Sequence, residues 1–137
     1  MKKTKFFILL IISILIGGAL SFAFYSFYIV KDVRNFEMDV IIKDNIGINL
    51  NNDAIHFGGV PPGGGAKRDI VINNTDIMPL RASIYTSGEL AEYVTLSDNN
   101  FMVPPGEWKI VTFYLSTPAT ITYGNHTGKA KVVLKRI

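Results

Sequence analysis

His56 and His126 are the two residues of this chain best suited to acid–base or metal chemistry. They lie far apart in the sequence, and two ligands alone do not make a protein zinc site. The chain has no cysteine that would add thiolate ligands or a thiol nucleophile, and no Ser-His-Asp grouping is visible. We therefore predict a non-enzymatic protein without a metal or other cofactor. Each histidine is expected at the surface or on a strand edge.

Two further segments have compositions that suit ion binding. The glycine-rich segment 58–65 precedes Lys67, but a P-loop requires Gly-Lys-Ser/Thr at the start of a helix, and here a strand pattern follows. A second segment is rich in oxygen ligands that calcium accepts: Asp44, Asn45, Asn49, Asn51, Asn52 and Asp53. It lacks the EF-hand spacing and closing glutamate, so we interpret it as turns, with calcium binding as the alternative.

Five residues are candidates for modification or binding. Asn73 and Asn125 each begin an Asn-x-Thr triplet, the acceptor signal for N-glycosylation. Both triplets fall at predicted strand ends or turns, where a modifying enzyme can reach them. Trp108, Tyr114 and Tyr123 are the candidate interaction residues, because exposed aromatic rings are frequent hot spots of binding surfaces. For Trp108, at the start of a long strand, the prediction is that it covers one end of the hydrophobic core; an exposed Trp108 would instead be a binding hot spot.

The elements that position these residues follow a long apolar segment, residues 6–30, which contains no charged side chain. At about 1.5 Å per residue, a helix of this length crosses a hydrocarbon core of about 30 Å. Lysines in the preceding stub, residues 1–5, favour a cytoplasmic N-terminus. The sequence thus predicts a single-pass protein whose membrane-lipid contact is residues 6–30 and whose C-terminal domain is extracellular.

A cleaved signal peptide is the alternative for this segment. The basic stub resembles an n-region, and Ser21-Phe22-Ala23 offers small residues for a cut after Ala23. However, the apolar run continues to Val30, whereas the apolar region of a signal peptide has only about 7–15 residues. The length therefore favours a retained signal anchor.

The net charge of the chain gives no reason to expect nucleic-acid binding. The chain has 14 Lys and Arg against 11 Asp and Glu, and a pI of about 9.2. Lys2, Lys3 and Lys5 belong to the stub, which leaves 11 basic against 11 acidic residues after the apolar segment. The outer domain is therefore formally neutral, and a protein partner is expected rather than a nucleic acid.

From Phe36 onward the apolar residues alternate with polar ones, which is typical of half-buried strands. We predict a short linker at residues 31–35 and one all-β domain, a β-sandwich of seven or eight strands, at residues 36–137. Segment 58–65 is predicted as a loop, and residues 88–93 as a single helical turn. The predicted strands are 36–43, 46–50, 54–57, 67–73, 79–87, 101–103, 107–116 and 128–137.

Two parts of this domain resemble known sandwich modules. Ile55-His56-Phe57-Gly58, Val60-Pro61-Pro62-Gly63 and Arg68 to Asn74 resemble the opening strands of immunoglobulin-like domains of the major-sperm-protein and ASH kind. Val103-Pro104-Pro105-Gly106-Glu107, Ile110 to Leu115, Tyr123-Gly124 and Gly128 to Leu134 resemble modules of prokaryotic, in particular archaeal, surface proteins. The resemblance covers about residues 36–137 and implies an immunoglobulin-like β-sandwich.

The anchor and the resemblance together suggest a class of function. We expect an extracellular interaction or structural module of a cell-envelope or surface-filament assembly. Its protein partner would be a surface layer, a filament or a neighbouring membrane protein. The alternative is a carbohydrate- or calcium-binding accessory domain at the cell surface.

Overall fold

A computed structural model describes residues 2–47 and 54–137, and within these ranges an N-terminal helix is followed by eight strands. Helix α1, Lys2–Phe24, continues into a π-helical segment, Tyr25–Ile29. A 3₁₀ helix, Glu89–Tyr93, confirms the predicted helical turn. The strands are β1 Val30–Ile42, β2 Ile55–Val60, β3 Gly65–Asn73, β4 Leu80–Gly88, β5 Val94–Leu96, β6 Phe101–Val103, β7 Trp108–Ser116 and β8 Gly124–Arg136.

The strands form two sheets. The large sheet has the order β2-β1-β8-β4-β6, in which β1 and β2 are parallel and the other neighbours are antiparallel. The small sheet has the order β3-β7-β5 and is antiparallel. We call residues 30–137 the β-domain. Its longest pairing joins β1 to β8, from Val30 opposite Lys135 to Ile42 opposite Gly124.

One hydrophobic core lies between the two sheets. The predicted alternation along β1 is confirmed, because Met38, Val40 and Ile42 are buried. On the small sheet, Val111 and Phe113 are fully buried in the same cluster. Both sheets therefore contribute side chains to a single core, which fixes the position of one sheet relative to the other.

The predicted linker at residues 31–35 is wrong, because these residues form the first part of β1. Strand β8 begins at Gly124, four residues earlier than predicted, and offers backbone partners along the whole of β1. Charged residues such as Lys31 are accommodated because alternate side chains of this strand face solvent. The helix therefore passes into the β-domain without a free segment.

Other boundaries also depend on partner strands. The loop predicted at residues 58–65 is shorter in the structure, since Gly58, Gly59 and Val60 belong to β2. β2 is the outermost strand of the large sheet, where glycine is tolerated and Pro61 stays outside the ladder. Strand β5 was not predicted. The predicted strand 46–50 lies largely outside the described residues, although Gly47 forms a bridge with Gly59.

Strand β4 ends where two glycines meet. Gly88 has φ 84° and ψ −171°, a backbone conformation that is accessible essentially to glycine alone. A Cβ added to Gly88 would lie 3.0 Å from the Cα of Gly128 on β8. The close approach of β4 and β8 at this point therefore requires glycine.

We expect Gly88→Ala to lower the free energy of unfolding by about 1–3 kcal/mol more than Gly106→Ala does. Gly106 is the matched control, because it also has a positive φ, 74°, but no atom lies within 4 Å of an added Cβ. Urea unfolding of the full chain in detergent micelles, followed by circular dichroism, measures both losses. Equal losses would show that the contact with Gly128 has no energetic effect.

Candidate functional site

The outer face of the small sheet carries a solvent-exposed apolar patch. Along β7, alternate side chains face away from the core, and these include Trp108 and Ile110. On β3, Val71 lies opposite Ile110, and Asn73 lies opposite Trp108. The exposed fractions are 63 % for Trp108, 56 % for Val71 and 46 % for Ile110. We call these three residues the apolar patch, and together with Asn73 they line one shallow depression.

The outer face of the large sheet is different. Its exposed residues include Glu37 on β1, Lys129 and Lys131 on β8, and Arg81 on β4. Glu37 and Lys129 form an ion pair across the two strands at 3.7 Å. This face also exposes Tyr85 and Met102, but these lie opposite Lys131 and Arg81, whereas the members of the apolar patch adjoin one another. The prediction that Trp108 covers one end of the core is wrong, because its side chain is on the exposed face of β7.

The three aromatic interaction candidates do not form one site. Tyr114 shares the outer face of β7 with Trp108, six residues away, which corresponds to about 20 Å along a strand. Tyr123 precedes Gly124, which pairs with Ile42 at the end of β1 farthest from the helix. Its hydroxyl donates to a carboxylate oxygen of Asp44 at 2.8 Å, and this hydrogen bond raises the pKa of Tyr123.

A cluster of polar contacts joins the β-domain to the end of the helix, and we call it the junction. Asp76, in the loop between β3 and β4, accepts a hydrogen bond from Arg136 at 2.8 Å and lies 3.7 Å from Lys31. The hydrogen bond from Arg136 is the main reason why the pKa of Asp76 is lowered. Arg136 also lies 4.8 Å above the ring of Tyr28 and donates to its carbonyl at 3.3 Å.

Two more contacts at the junction involve aromatic residues of the π-helical segment. The ammonium group of Lys135 donates to the hydroxyl of Tyr25 at 2.5 Å and lies 5.1 Å from the centre of that ring. The hydroxyl of Tyr28 lies 4.0 Å from the sulfur of Met78. The loop 74–79 and the end of β8 are therefore both in contact with the last helical turns.

The apolar patch lies at the same end of the β-domain as the junction. The backbone of Asn74 pairs with the 104–107 turn through hydrogen bonds of 2.9 Å to Glu107 and 3.0 Å from Gly106. The guanidinium group of Arg34, near the start of β1, donates to Asn73 at 3.2 and 3.3 Å. Trp108 begins β7 directly after this turn, so it lies near the helix rather than at the far end.

The two glycosylation candidates are exposed and lie at opposite ends of the β-domain. Asn73 is the last residue of β3 and lies beside the apolar patch. Asn125 is the second residue of β8 and pairs with Ile41, toward the far end of β1. Exposure makes both accessible to a modifying enzyme, and their glycosylation stays a prediction.

His126 is buried, with only 6 % of its surface exposed, so the prediction of a surface or edge position is wrong for this residue. Its Nδ1 faces a carboxylate oxygen of Glu89 at 2.5 Å, and its Nε2 faces the carbonyl of Thr122 at 2.8 Å. Both nitrogens face acceptors, so the doubly protonated ring satisfies both contacts. The hydrogen bond to Thr122, followed by that to Glu89, raises the pKa of His126.

His56 lies on the edge strand β2, as predicted, and its Nδ1 is 2.6 Å from a carboxylate oxygen of Asp39 on β1. Sequence analysis missed both histidine–carboxylate pairs, because their partners lie on other elements. The only local signal was a period-two pattern that placed Asp39 on a strand. Asp39 and His56 are 17 positions apart, and Glu89 and His126 are 37 positions apart, so neither pair could be found before the fold was known.

The ion-binding segments give no metal site in the part of the chain that the structure describes. No group of three or more His, Asp or Glu residues there is placed to hold a metal ion. Asp44 and Asn45 are exposed, whereas Asn49 and residues 51–53, the other proposed calcium ligands, lie outside the described residues. Lys67 lies within strand β3, which confirms that the glycine-rich segment leads into a strand and not into a helix.

The fold and the exposed features define a class: a two-sheet β protein with one apolar N-terminal helix. The helical segment Lys3–Ile29 contains an 18-residue stretch with a mean hydropathy of 2.6 that the rest of the chain does not bury, so the segment is long and apolar enough to cross a membrane. Comparisons with protein-family models, curated proteins and solved structures find no match to this chain. The apolar patch and the junction are therefore the features from which we infer a function.

The raised pKa of His126 predicts a pH-dependent stability. Stabilisation by the protonated ring is complete below the unfolded-state pKa of about 6.5 and is lost as the pH rises through the higher folded-state value. We expect the melting temperature of the full chain in detergent to fall between about pH 6 and about pH 9. Glu89→Gln should make this fall smaller, because it removes one of the interactions that raise the pKa.

Glu92→Gln is the control for that measurement. Glu92 lies on the same 3₁₀ helix, but it interacts with Tyr93 and raises the pKa of that hydroxyl instead. This variant should keep the wild-type dependence of melting temperature on pH. An unchanged pH dependence in Glu89→Gln would show that the His126–Glu89 contact does not govern it.

Proposed function

We propose that this chain is a non-enzymatic interaction module of a cell-envelope assembly, anchored in the membrane by residues 6–30. The lysine-rich stub would stay in the cytoplasm, and the β-domain would stand on the extracellular side. Support for the anchor comes from the length and hydropathy of the helical segment. Further support comes from Tyr25 and Tyr28 at its end, because tyrosines favour the membrane–water interface.

The apolar patch is the observation that carries the interaction role. Three apolar side chains that adjoin one another on an exposed sheet face are typical of a protein-binding surface. Tryptophan is also the residue type most enriched among binding hot spots. The proposed occupant is therefore a protein with a complementary apolar surface.

The position of the apolar patch narrows the partner to a neighbouring membrane-anchored protein. The patch lies at the helix end of the β-domain, and β1 begins at Val30 with no free segment before it. A β-domain fixed in this way cannot move far from the bilayer. A partner at the cell surface must therefore present its own apolar surface close to the membrane.

The fold is proposed to be an immunoglobulin-like β-sandwich. Support comes from eight strands in two sheets that share one core. The parallel pairing of β1 with β2 departs from the antiparallel sheets that define that fold. An experimental structure in which the two sheets did not face each other would contradict the proposal.

A carbohydrate-binding accessory role is the second candidate. It is favoured by Trp108 and Tyr114, which lie on one face of β7 with Thr112 between them. The hydroxyl of Thr112 donates to Asp69 at 2.6 Å, so polar groups lie beside the ring of Tyr114, as a sugar-binding surface requires. The aliphatic residues Val71 and Ile110 next to Trp108 favour a protein surface instead.

We expect Trp108→Ser to reduce by at least about tenfold the fraction of the chain that is cross-linked to a membrane partner, as hot-spot residues do. The matched control is Tyr85→Ser, an exposed aromatic on the outer face of the large sheet. Cross-linking in native membranes, followed by gel quantification, measures both variants. Equal cross-linking by the two variants, or glycan retention by the full chain that depends on Trp108, would contradict the protein-docking proposal.

The intact mass of the protein purified from its own membrane tests the anchor. We expect a species that retains residues 6–30, because the apolar segment is longer than that of a signal peptide. A mature N-terminus at Phe24 would refute the anchor. The same spectrum reports glycans, whose added mass should disappear in a variant with both Asn73→Gln and Asn125→Gln.

A further inference from the structure

Ile77 has the most exposed large apolar side chain in the described part of the protein, with 90 % of its surface open. Phe27, in the π-helical segment, is next at 88 %. Both residues belong to segments of the junction, since Ile77 lies between Asp76 and Met78 in the loop 74–79. Two of the most exposed apolar side chains are therefore at the end of the β-domain that meets the helix.

The loop that carries Ile77 is held by specific hydrogen bonds. Asp76 accepts from the backbone N–H of Ile77 at 2.7 Å, and Asn74 accepts from the backbone N–H of Asp76 at 2.8 Å. The Asn74 amide also donates to the carbonyls of Met78 at 2.8 Å and Val103 at 2.9 Å. These bonds involve a buried asparagine and a carboxylate with 5 % exposure, so the exposed isoleucine projects from an ordered loop.

The position of this loop relative to the bilayer follows from the length of the helix. If the apolar segment begins at Phe6 at one edge of a hydrocarbon core of about 30 Å, about 20 helical residues bring the chain to Tyr25 at the other edge. The next turn, which includes Phe27 and Tyr28, then lies in the headgroup region. Because Met78 contacts Tyr28, its neighbour Ile77 lies close to the same level.

We propose that Ile77 is a second membrane contact, which inserts beside Phe27 into the boundary between lipid headgroups and acyl chains. The occupant is the lipid layer of the bilayer that holds the helix, so this inference rests on the proposed membrane anchor. Lys31, whose side chain is 42 % exposed at the junction, is available to lipid phosphates at the same level. The two contacts together would fix the tilt of the β-domain on the membrane.

A tryptophan reporter can measure this contact, because Trp108 is the only tryptophan in the chain. In a Trp108→Phe background, Ile77→Trp places the reporter in the loop, and Tyr123→Trp places the control at the far end of the β-domain. The full chain is reconstituted in phosphatidylcholine vesicles with or without lipids that carry a spin label near the glycerol backbone. We expect the label to reduce emission at least about twofold for Ile77→Trp and to leave Tyr123→Trp unchanged.

The outcomes separate the loop contact from the anchor. If the Ile77→Trp protein floats with the vesicles but its emission is the same with and without spin-labelled lipid, the loop contact is overturned and the anchor stands. Protein that fails to float with the vesicles would overturn the anchor itself. Strong quenching of the Tyr123→Trp reporter would also contradict the proposal, because the domain would then lie flat on the bilayer.

A second variant keeps the test valid if Ile77→Trp does not fold. The chain has no cysteine, so Ile77→Cys provides a unique attachment site for a spin label while Trp108 stays in place. Accessibility to oxygen should exceed accessibility to a polar nickel complex at this position, as expected for a residue within the bilayer boundary. Greater accessibility to the nickel complex would place Ile77 in water and refute the inference.

Discussion

The helix of this protein is followed directly by strand β1, with no linker between them. This direct connection determines how the rest of the structure is arranged. Val30 terminates the π-helical segment and is also the first residue of β1. β1 is not an edge strand, and β8 pairs with it along its whole length. Rotation of the β-domain relative to the helix would break the contacts of Arg136 and Met78 with Tyr28 and the contact of Lys135 with Tyr25.

The two sheets have different roles in the proposed function. β1 and β8, which belong to the large sheet, make the connection to the helix, while β3 and β7 of the small sheet carry the apolar patch. Because the sheets share one core, the apolar patch has a fixed position relative to the helix. In the proposed assembly, a membrane contact at Ile77 would also set the direction in which the patch faces along the membrane.

Sequence patterns predicted the features that depend on neighbouring residues. The apolar helix, the period-two alternation at Met38 to Ile42 and the helical turn near Glu89 all follow from local composition and spacing. Features that depend on distant partners were missed. Residues 31–35 are a strand only because β8 is long enough to pair with them, and Gly58 to Val60 are a strand only because β1 supplies their partner.

The candidate site shows the same limit. Alternation along β7 placed Trp108 on a strand, but it did not show whether Trp108 is on the core face or the solvent face. Only the position of β3 and of the core shows that Trp108 faces solvent. Ile77 gave no signal, since single exposed apolar residues are common on protein surfaces. Its significance comes from the hydrogen bonds of Asp76 and from the contact between Met78 and Tyr28, which bring a fixed loop to the helix end. An apolar residue becomes a candidate membrane contact when its distance from the bilayer is known, and here the helix supplies that distance.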